Sequence, residues 1–397
     1  MPELRSLAEA QTLVLERIER LPAEPVPISE AAGRILAEDA VATVDLPPFP
    51  SSAMDGYALR AADAPGRLPI VARVAAGRPA PRPLEQGEAM EISTGGVVPD
   101  GADAVVPVEY VVVHGNEVEV AGVVVRGENV RPRGGDVGAG EPICRAGTRL
   151  SPARIGALAA SGLAAVACAR RPSVALLATG SELRQPGESL APGQIYESNG
   201  LMLAAALASA GARVERLPAV EDDEDAHRTA LARGLEADVL VTSGGVSVGP
   251  HDLVRTIEAE LGVDEVFWGI AVKPGKPVSF GVRDRTLVFG LPGNPVSSLV
   301  GAELLVKPAL LALQGLADPL PAFAVGLLGA PLRRNAGRDE FVRARSRVGE
   351  GGIALDPVTG QESHMIVRAA GADALVLVPR GDGEIAAGSP VRYLQLG

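Results

Sequence analysis

Two lysines three residues apart on a stiff segment, Lys273-Pro274-Gly275-Lys276-Pro277, are the first residues here that read as chemistry rather than packing. Proline and glycine fix the backbone beneath two ammonium groups, and two fixed cations suit a phosphate or another tetrahedral oxyanion. Three Gly-rich turns accompany them: Thr179-Gly180-Ser181-Glu182, Ser243-Gly244-Gly245-Val-Ser247-Val-Gly249 and Gly290-Leu-Pro292-Gly-Asn294-Pro295. Each follows a short apolar run and precedes a helical stretch. Glycine there lets backbone approach a ligand, and the helix offers its N–H groups to an anion. The carboxylates Glu182, Asp222 and Asp252 follow strands of the same region. Singly each fits a helix cap. Sharing one crevice with phosphates, they would be oxygen ligands for Mg2+ in a metal-assisted phosphoryl or nucleotidyl site.

Other signatures are weaker. Gly245-Val-Ser247-Val-Gly249 has the letters of a nucleophile elbow, and His364 or the nearby His251 would have to complete a triad. An accidental match in a Gly-rich loop is the simpler reading. No Walker-type loop and no dinucleotide Gly-x-Gly-x-x-Gly after a strand is present, which argues against a P-loop ATPase or a redox enzyme. Four scattered histidines and two cysteines, Cys144 and Cys168, supply neither a metal-ligand spacing nor a disulfide framework. Asp55, in Pro47-Pro-Phe-Pro-Ser-Ser-Ala-Met-Asp55-Gly56-Tyr57, fits a turn residue as readily as a functional one. Thr94, Arg131 and Asp136 sit on polar turns that, taken alone, read as solvent-facing.

The elements that must position these groups change character along the chain. Apolar spacing predicts an amphipathic helix over 4–20 and a second over 28–40 with Ser29 as cap. Short β-rich runs separated by Gly and Pro turns fill 55–145 and predict a small all-β domain. A helix is expected over 151–168, with Pro152 in its first turn. From 172 to 316, strands alternate with helices, the pattern of a parallel sheet covered on both faces, and ligands of such sheets sit at the carboxyl ends of the strands. Residues 317–397 return to short strands.

The bulk numbers narrow the partners. The 397 residues suit two to four domains. A net charge of −12 and a pI near 5.0 disfavour nucleic acid and anionic lipid, so an anionic substrate must be held by a few focused cations. The amino terminus lacks a signal-peptide core, and no stretch reads as the roughly 20 apolar residues of a membrane span. A cytoplasmic protein is expected.

Taken together, Pro48-Phe-Pro-Ser-Ser-Ala-Met-Asp-Gly-Tyr-Ala, Ser93-Thr-Gly-Gly-Val-Val-Pro-Asp-Gly-Ala-Asp-Ala, Ala178-Thr-Gly-Ser-Glu-Leu, Pro192-Gly-Gln-Ile-Tyr-Glu-Ser-Asn, Thr242-Ser-Gly-Gly-Val-Ser-Val-Gly, Lys273-Pro-Gly-Lys-Pro and Leu291-Pro-Gly-Asn-Pro-Val-Ser span nearly the whole chain. In that order they resemble the molybdopterin molybdenumtransferase family, relatives of the carboxy-terminal domain of gephyrin. The resemblance implies a multidomain α/β plus β protein. Its parts would be a helical domain (1–45 and 141–171), an inserted β domain (46–140), a doubly wound α/β molybdopterin-binding domain (172–316) and a C-terminal β-barrel-like domain (317–397).

It also implies a homodimer that converts adenylyl-molybdopterin and molybdate, with Mg2+, to molybdenum cofactor and AMP. The molybdopterin adenylyltransferase and molybdoenzyme maturation factors are implied as further partners. Carried over by position, Lys273, Lys276, Ser247, Arg338 and Ser363 handle molybdate, with Arg343 the alternative to Arg338. Glu182 and Asp252 lie near the pyrophosphate and metal, and Asp222 stands in a Glu221-Asp222-Asp223 run whose register is open by one. Thr179, Gly180, Ser181, Gly244, Gly245, Pro292 and Pro295 line the pterin site, while Asp55, Thr94, Arg131 and Asp136 come from the partner subunit. Gly135 stands where relatives often carry Glu. The rival readings are the ATP-dependent adenylyltransferase of the same pathway and a non-catalytic gephyrin-like scaffold.

Overall fold

In the computed structural model, which describes residues 4–220, 223–245, 253–349 and 351–396, the apolar runs of the chain's second half form a six-stranded sheet. Its strands are Ser173–Ala178 (β1), Arg213–Arg216 (β2), Val239–Ser243 (β3), Asp264–Trp268 (β4), Ser279–Arg283 (β5) and Thr286–Leu291 (β6). They lie in the order β2-β1-β3-β6-β5-β4. β1, β3 and β6 are buried almost end to end, as parallel strands covered on both faces must be.

Alternate side chains sort to opposite faces. Val174, Leu176, Val239, Val241 and Phe289 pack with Ala10 and Val14 of Leu7–Leu15 (α1), Leu203 and Leu207 of Asn199–Ser209 (α2), and the helix Pro295–Leu313. Ala175, Leu177, Leu240 and Val288 pack instead with Leu231 of Glu224–Gly234 (α3) and with Val254 and Ile257 of Leu253–Glu260 (α4).

Several expectations are corrected here. The sheet is mixed: β5 runs antiparallel to both its neighbours, β6 and β4, because β5 and β6 are joined by a tight hairpin whose Asp284 takes φ +54°. The 28–40 helix reduces to a 3-10 turn at Ile28–Glu30, and Gly33 at φ +74° starts an irregular stretch that buries Ile35 and Leu36. The 151–168 helix is Pro152–Ala160; Gly162 at φ +87° ends it, and Ala165–Ala169 is a strand. The helix Pro295–Leu313 is, by length and hydropathy, capable of crossing a membrane, contrary to the sequence expectation, but most of it is buried in this core.

The C-terminal strands Phe323–Leu328 (β7), Asp339–Gly349 (β8), Gly352–Pro357 (β9), Ala374–Val378 (β10) and Pro390–Gln395 (β11) close into a five-stranded barrel. The order is β8-β9-β7-β11-β10, with β10 pairing back onto β8. Val342, Leu355, Val376, Val378 and Tyr393 fill its interior. Phe341, Leu375 and Leu394 point the other way, into the core shared with the α/β sheet.

The structure divides into two compact units. One holds the α/β sheet with its helices and the barrel, together with Gly33–Ala37. The other, Pro25–Ala32 and Glu38–Ala167, carries the β domain. Its six-stranded sheet orders Ala104–Pro107, Gly56–Leu59, Ala89–Ile92, Gly66–Val74, Glu117–Val120 and Val111–His114 from edge to edge.

An ion pair fixes the entry to the α/β sheet. Arg170 donates to both Asp238 oxygens at 2.9 and 2.8 Å, and the Ser173 amide and hydroxyl each donate to Asp238 at 2.7 Å. Burial pushes this carboxyl up, but Arg170 and Ser173 together outweigh it and hold it below the usual carboxylate range. Its contribution is therefore present above the unfolded aspartate pKa of about 4 and is lost as pH falls through the lower folded value. Asp238→Ala is expected to cost about 2–3 kcal/mol at pH 7, below the full figure for a buried pair because Arg170 is partly exposed. Urea unfolding across pH should show this gap to wild type narrowing below about pH 4.

Candidate active site

β1, β3 and β6 are neighbours, so the three Gly-rich turns meet at one edge of the sheet. The Thr179 amide donates to the Ser243 carbonyl at 3.2 Å, and the Gly244 amide donates to the Leu291 carbonyl at 3.0 Å. The Gly180 amide likewise reaches Val220. These N–H groups are spent on tying the turns together, so at Gly180 and Gly244 the glycine serves backbone approach rather than anion donation. Gly244 has φ +97°, and a Cβ there would meet the Thr179 hydroxyl at 2.8 Å.

A cleft of about 320 Å3 opens at this edge, lined by Thr179, Glu182, Tyr196, Glu197, Asn199, Ser243 and Pro295 among others. Glu182 is exposed. Glu197 is buried: it accepts from Arg216 at 2.8 Å and from the Gly200 amide at 2.6 Å, securing the start of α2. Asn199 spans the turns, its side-chain amide donating to Ser243 Oγ at 2.9 Å and to the Gly293 carbonyl at 2.7 Å. Ser298 adds a hydrogen bond to the Pro292 carbonyl.

A second, larger cleft of about 610 Å3 adjoins the first, sharing Asn294 and His364 with it. Lys273, Lys276, Arg338, Ser297, Ser363 and Pro292 line it, with Glu362 as its acidic member. The barrel helps to build this cleft. Val272–Lys273 pairs in parallel with Asp339–Glu340 at the start of β8, and the Val296 amide donates to the Ser363 carbonyl at 3.0 Å. Lys273 Nζ lies 2.9 Å from Glu340 Oε1, whereas Lys276 has no ion pair among the described residues.

The structure separates the two arginine candidates. Arg338 is half-buried in the cleft wall, on a turn where Asn335 Oδ1 accepts from the Gly337 and Arg338 amides. Arg343 is buried inside β8 and donates from Nη2 to the Gly360 carbonyl at 2.7 Å, so it holds the cleft's loop from behind. Burial pushes its guanidinium below the usual range, only partly opposed by Glu362.

Asp222, Ser247 and Asp252 lie outside the described residues, as does the elbow motif from Val246 onward. Among the described residues no group of three His, Cys, Asp or Glu side chains could hold a metal. Gly180, Ser181, Gly244 and Gly245 flank the first cleft without lining it.

Asp55, Thr94, Arg131 and Asp136 are all exposed on the other unit. Asp55 Oδ1 accepts from the Thr94 amide at 2.8 Å, and Arg131 pairs with Ser51 in a short ladder. Gly56 beside Asp55 is obligatory, because a Cβ would fall 2.1 Å from the Val106 carbonyl oxygen. Residue-by-residue reading missed Tyr196, Glu197, Asn199 and Asn294 as lining residues. Their only signal was that the first three share one of the family-like stretches with Pro192, and Asn294 another.

The structure is an α/β protein with two adjoining clefts at the strand ends of a doubly wound sheet, one of them lined by Lys273, Lys276 and Arg338. The chain belongs to the MoeA family: residues 5–162 match the MoeA N-terminal region (domain I and II), 175–312 a domain described as "Probable molybdopterin binding domain", and 326–396 the MoeA C-terminal region (domain IV). It is 37% identical to molybdopterin molybdenumtransferase 2 of Mycobacterium tuberculosis, covering 99% of this chain and 100% of that protein. It is 33% identical to the molybdopterin molybdenumtransferase of Haemophilus influenzae over 97% of both. The molybdopterin biosynthesis MoeA protein of Pyrococcus horikoshii superposes with a TM-score of 0.82 at 32% identity, over 99% of each chain.

Because Asn199 ties two turns to α2 with two hydrogen bonds, Asn199→Ala is expected to lower stability by about 1–3 kcal/mol. A denaturant titration at neutral pH checks this; an unchanged midpoint would mean the turns hold without it.

Proposed function

We propose that this chain, a transferase of molybdenum cofactor biosynthesis by family, performs the insertion step: adenylyl-molybdopterin and molybdate are converted to molybdenum cofactor and AMP. The observation that carries this reading is the pair of clefts joined at Asn294 and His364. The first, with Tyr196 and the three strand-end turns, suits the pterin nucleotide. The second gathers Lys273, Lys276 and Arg338 around Ser363, a donor set for a tetrahedral dianion in a chain of net charge −12. Holding molybdate at that junction keeps the metal oxyanion next to the ligand that must receive it, which lowers the entropic cost of their meeting.

Glu182 fits a Mg2+ site of the usual sparse kind, in which one or two carboxylates are completed by substrate phosphate oxygens and water. Bound there, Mg2+ would neutralise charge on the pyrophosphate that links AMP to the pterin. By family resemblance Asp222 and Asp252 would share this acidic side of the site. Ser247 would join the molybdate donors. The same reading makes the enzyme a cytoplasmic homodimer, with Asp55, Thr94, Arg131 and Asp136 reaching the substrate bound to the partner subunit; the hydrogen bond from the Thr94 amide to Asp55 supports treating those two as one group. The cationic cleft beside the first favours insertion over ATP-dependent adenylylation, which has no use for a second oxyanion seat.

The test is AMP release from adenylyl-molybdopterin with Mg2+, with and without molybdate. Release that rises with molybdate and leaves a metal-loaded pterin is expected. Consumption of ATP in its place would establish the adenylyltransferase, and binding without release the scaffold. Lys276→Ala should raise the half-saturating molybdate concentration about tenfold, as loss of one charged hydrogen bond would; an unchanged molybdate dependence would remove Lys276 from the seat.

A further inference from the structure

The two lysines of the cationic cleft are not equivalent. Lys273 is paired: its ammonium lies 2.9 Å from Glu340 Oε1, while its side chain remains 45% exposed toward the cleft and that of Glu340 only 15%. The pairing is built into the backbone. Lys273 and Glu340 face each other in the parallel ladder between Val272–Lys273 and the start of β8, and Glu340 is held on its other side by Val378 of β10. Glu340 itself is not part of the cleft lining; it stands behind the lysine. Lys276, three residues on, has no such anchor among the described residues.

We infer that Glu340 is a positioning residue for the oxyanion seat: it takes one of the three ammonium N–H groups of Lys273 and fixes the other two toward the bound dianion. This deepens the proposed function and rests on its assignment of molybdate to the cationic cleft. A free lysine pays rotamer entropy to meet a ligand, and a lysine tethered to a half-buried carboxylate has already lost that freedom in the folded protein. A lysine also offers three donors and no acceptor, so one hydrogen bond to Glu340 leaves two for a tetrahedral oxyanion. The seat thus combines one preset cation, Lys273, with one adaptable cation, Lys276, which closes on the anion.

Charge and position must be separated in the test, because removing Glu340 also removes a negative charge from the neighbourhood of an anion. Glu340→Gln and Glu340→Ala both delete the charge, and only the glutamine keeps an oxygen that can accept from Lys273. The difference between the two variants therefore reads the anchor alone. Titration calorimetry with inorganic molybdate on the full-length protein is expected to give about tenfold weaker binding for E340A than for E340Q. That gap should vanish in a Lys273→Ala background, since no ammonium is left to hold. Glu340→Asp, which keeps the charge but draws the carboxylate back, should bind more weakly than the wild type and supplies the charge-matched comparison if E340A does not fold.

In the loading reaction, E340A should show a higher half-saturating molybdate concentration than E340Q with little difference in rate at saturation. Equal affinities for E340A and E340Q, or a gap that persists without Lys273, would overturn the inference while leaving the proposed function intact. Failure of the wild-type protein to bind molybdate would instead overturn the function on which it rests.

Discussion

The short ladder between Val272–Lys273 and Asp339–Glu340 is the contact on which the cationic cleft depends. It makes a loop of the α/β sheet into an extra strand beside the barrel, and it sets the lysine against the carboxylate across the two chains of the ladder. A parallel pair fixes register through slanted hydrogen bonds, and a slip by one residue would put Lys273 and Glu340 on opposite faces. The Asp339 amide also donates to the Ala271 carbonyl, so the register is held on both sides of the pair. Phe341, one residue beyond Glu340, packs into the α/β core and anchors the strand that carries the ladder.

On the proposed function, an acidic protein has to hold a dianion, a field problem that composition alone makes visible. The answer in this chain is local: Lys273, Lys276 and Arg338 come from two separate segments and meet in one concavity, where low-dielectric walls make each cation count for more than it would on an open surface. Glu362 at the rim and Glu340 behind Lys273 keep the seat from being a bare positive patch. Of the three cations only Lys273 is ion-paired among the described residues, so Lys276 and Arg338 keep their charge for an incoming anion.

Much of this was legible in the sequence, for physical reasons that differ by element. β1, β3 and β6 were readable because strands buried on both faces must be continuous apolar runs, and the first cleft opens at their Gly-rich ends. Lys273, Lys276, Arg338 and Ser363 were assigned by position in family-like motifs, and they do gather in one cleft. The antiparallel edge of the sheet was not legible, because its hairpin turns on Asp284 rather than on the glycine or asparagine that usually marks such a turn. The helix expected over 28–40 failed because apolar spacing cannot tell a helix from an irregular stretch that happens to bury Ile35 and Leu36. Asn199 escaped individual notice because its work is tertiary, joining turns that are 44 and 94 residues away.

The two arginines of the Gly337–Arg343 segment illustrate why a motif names a neighbourhood before it names a residue. Arg338 precedes β8 and sits on a turn braced by Asn335, so its guanidinium can enter the cleft. Arg343 lies within the strand, on the face opposite the barrel-filling Val342 and Ala344, and is buried there, where a guanidinium is costly unless its donors are used. One donor reaches the Gly360 carbonyl, its own backbone amide is taken by Gln361 Oε1, and the Gln361 side chain in turn donates to the Arg343 and Val358 carbonyls. Nε and Nη1 are buried without a hydrogen-bond partner, so the cost is only partly offset; the Nη2 bond helps to shape the 358–362 loop, and that loop leads directly into Ser363 and His364 on the cleft wall. One arginine lines the cleft and the other holds the loop behind its wall, so on the proposed function replacing either would disturb anion binding by a different route: the first by removing a cation, the second by loosening the loop that leads to a hydroxyl donor.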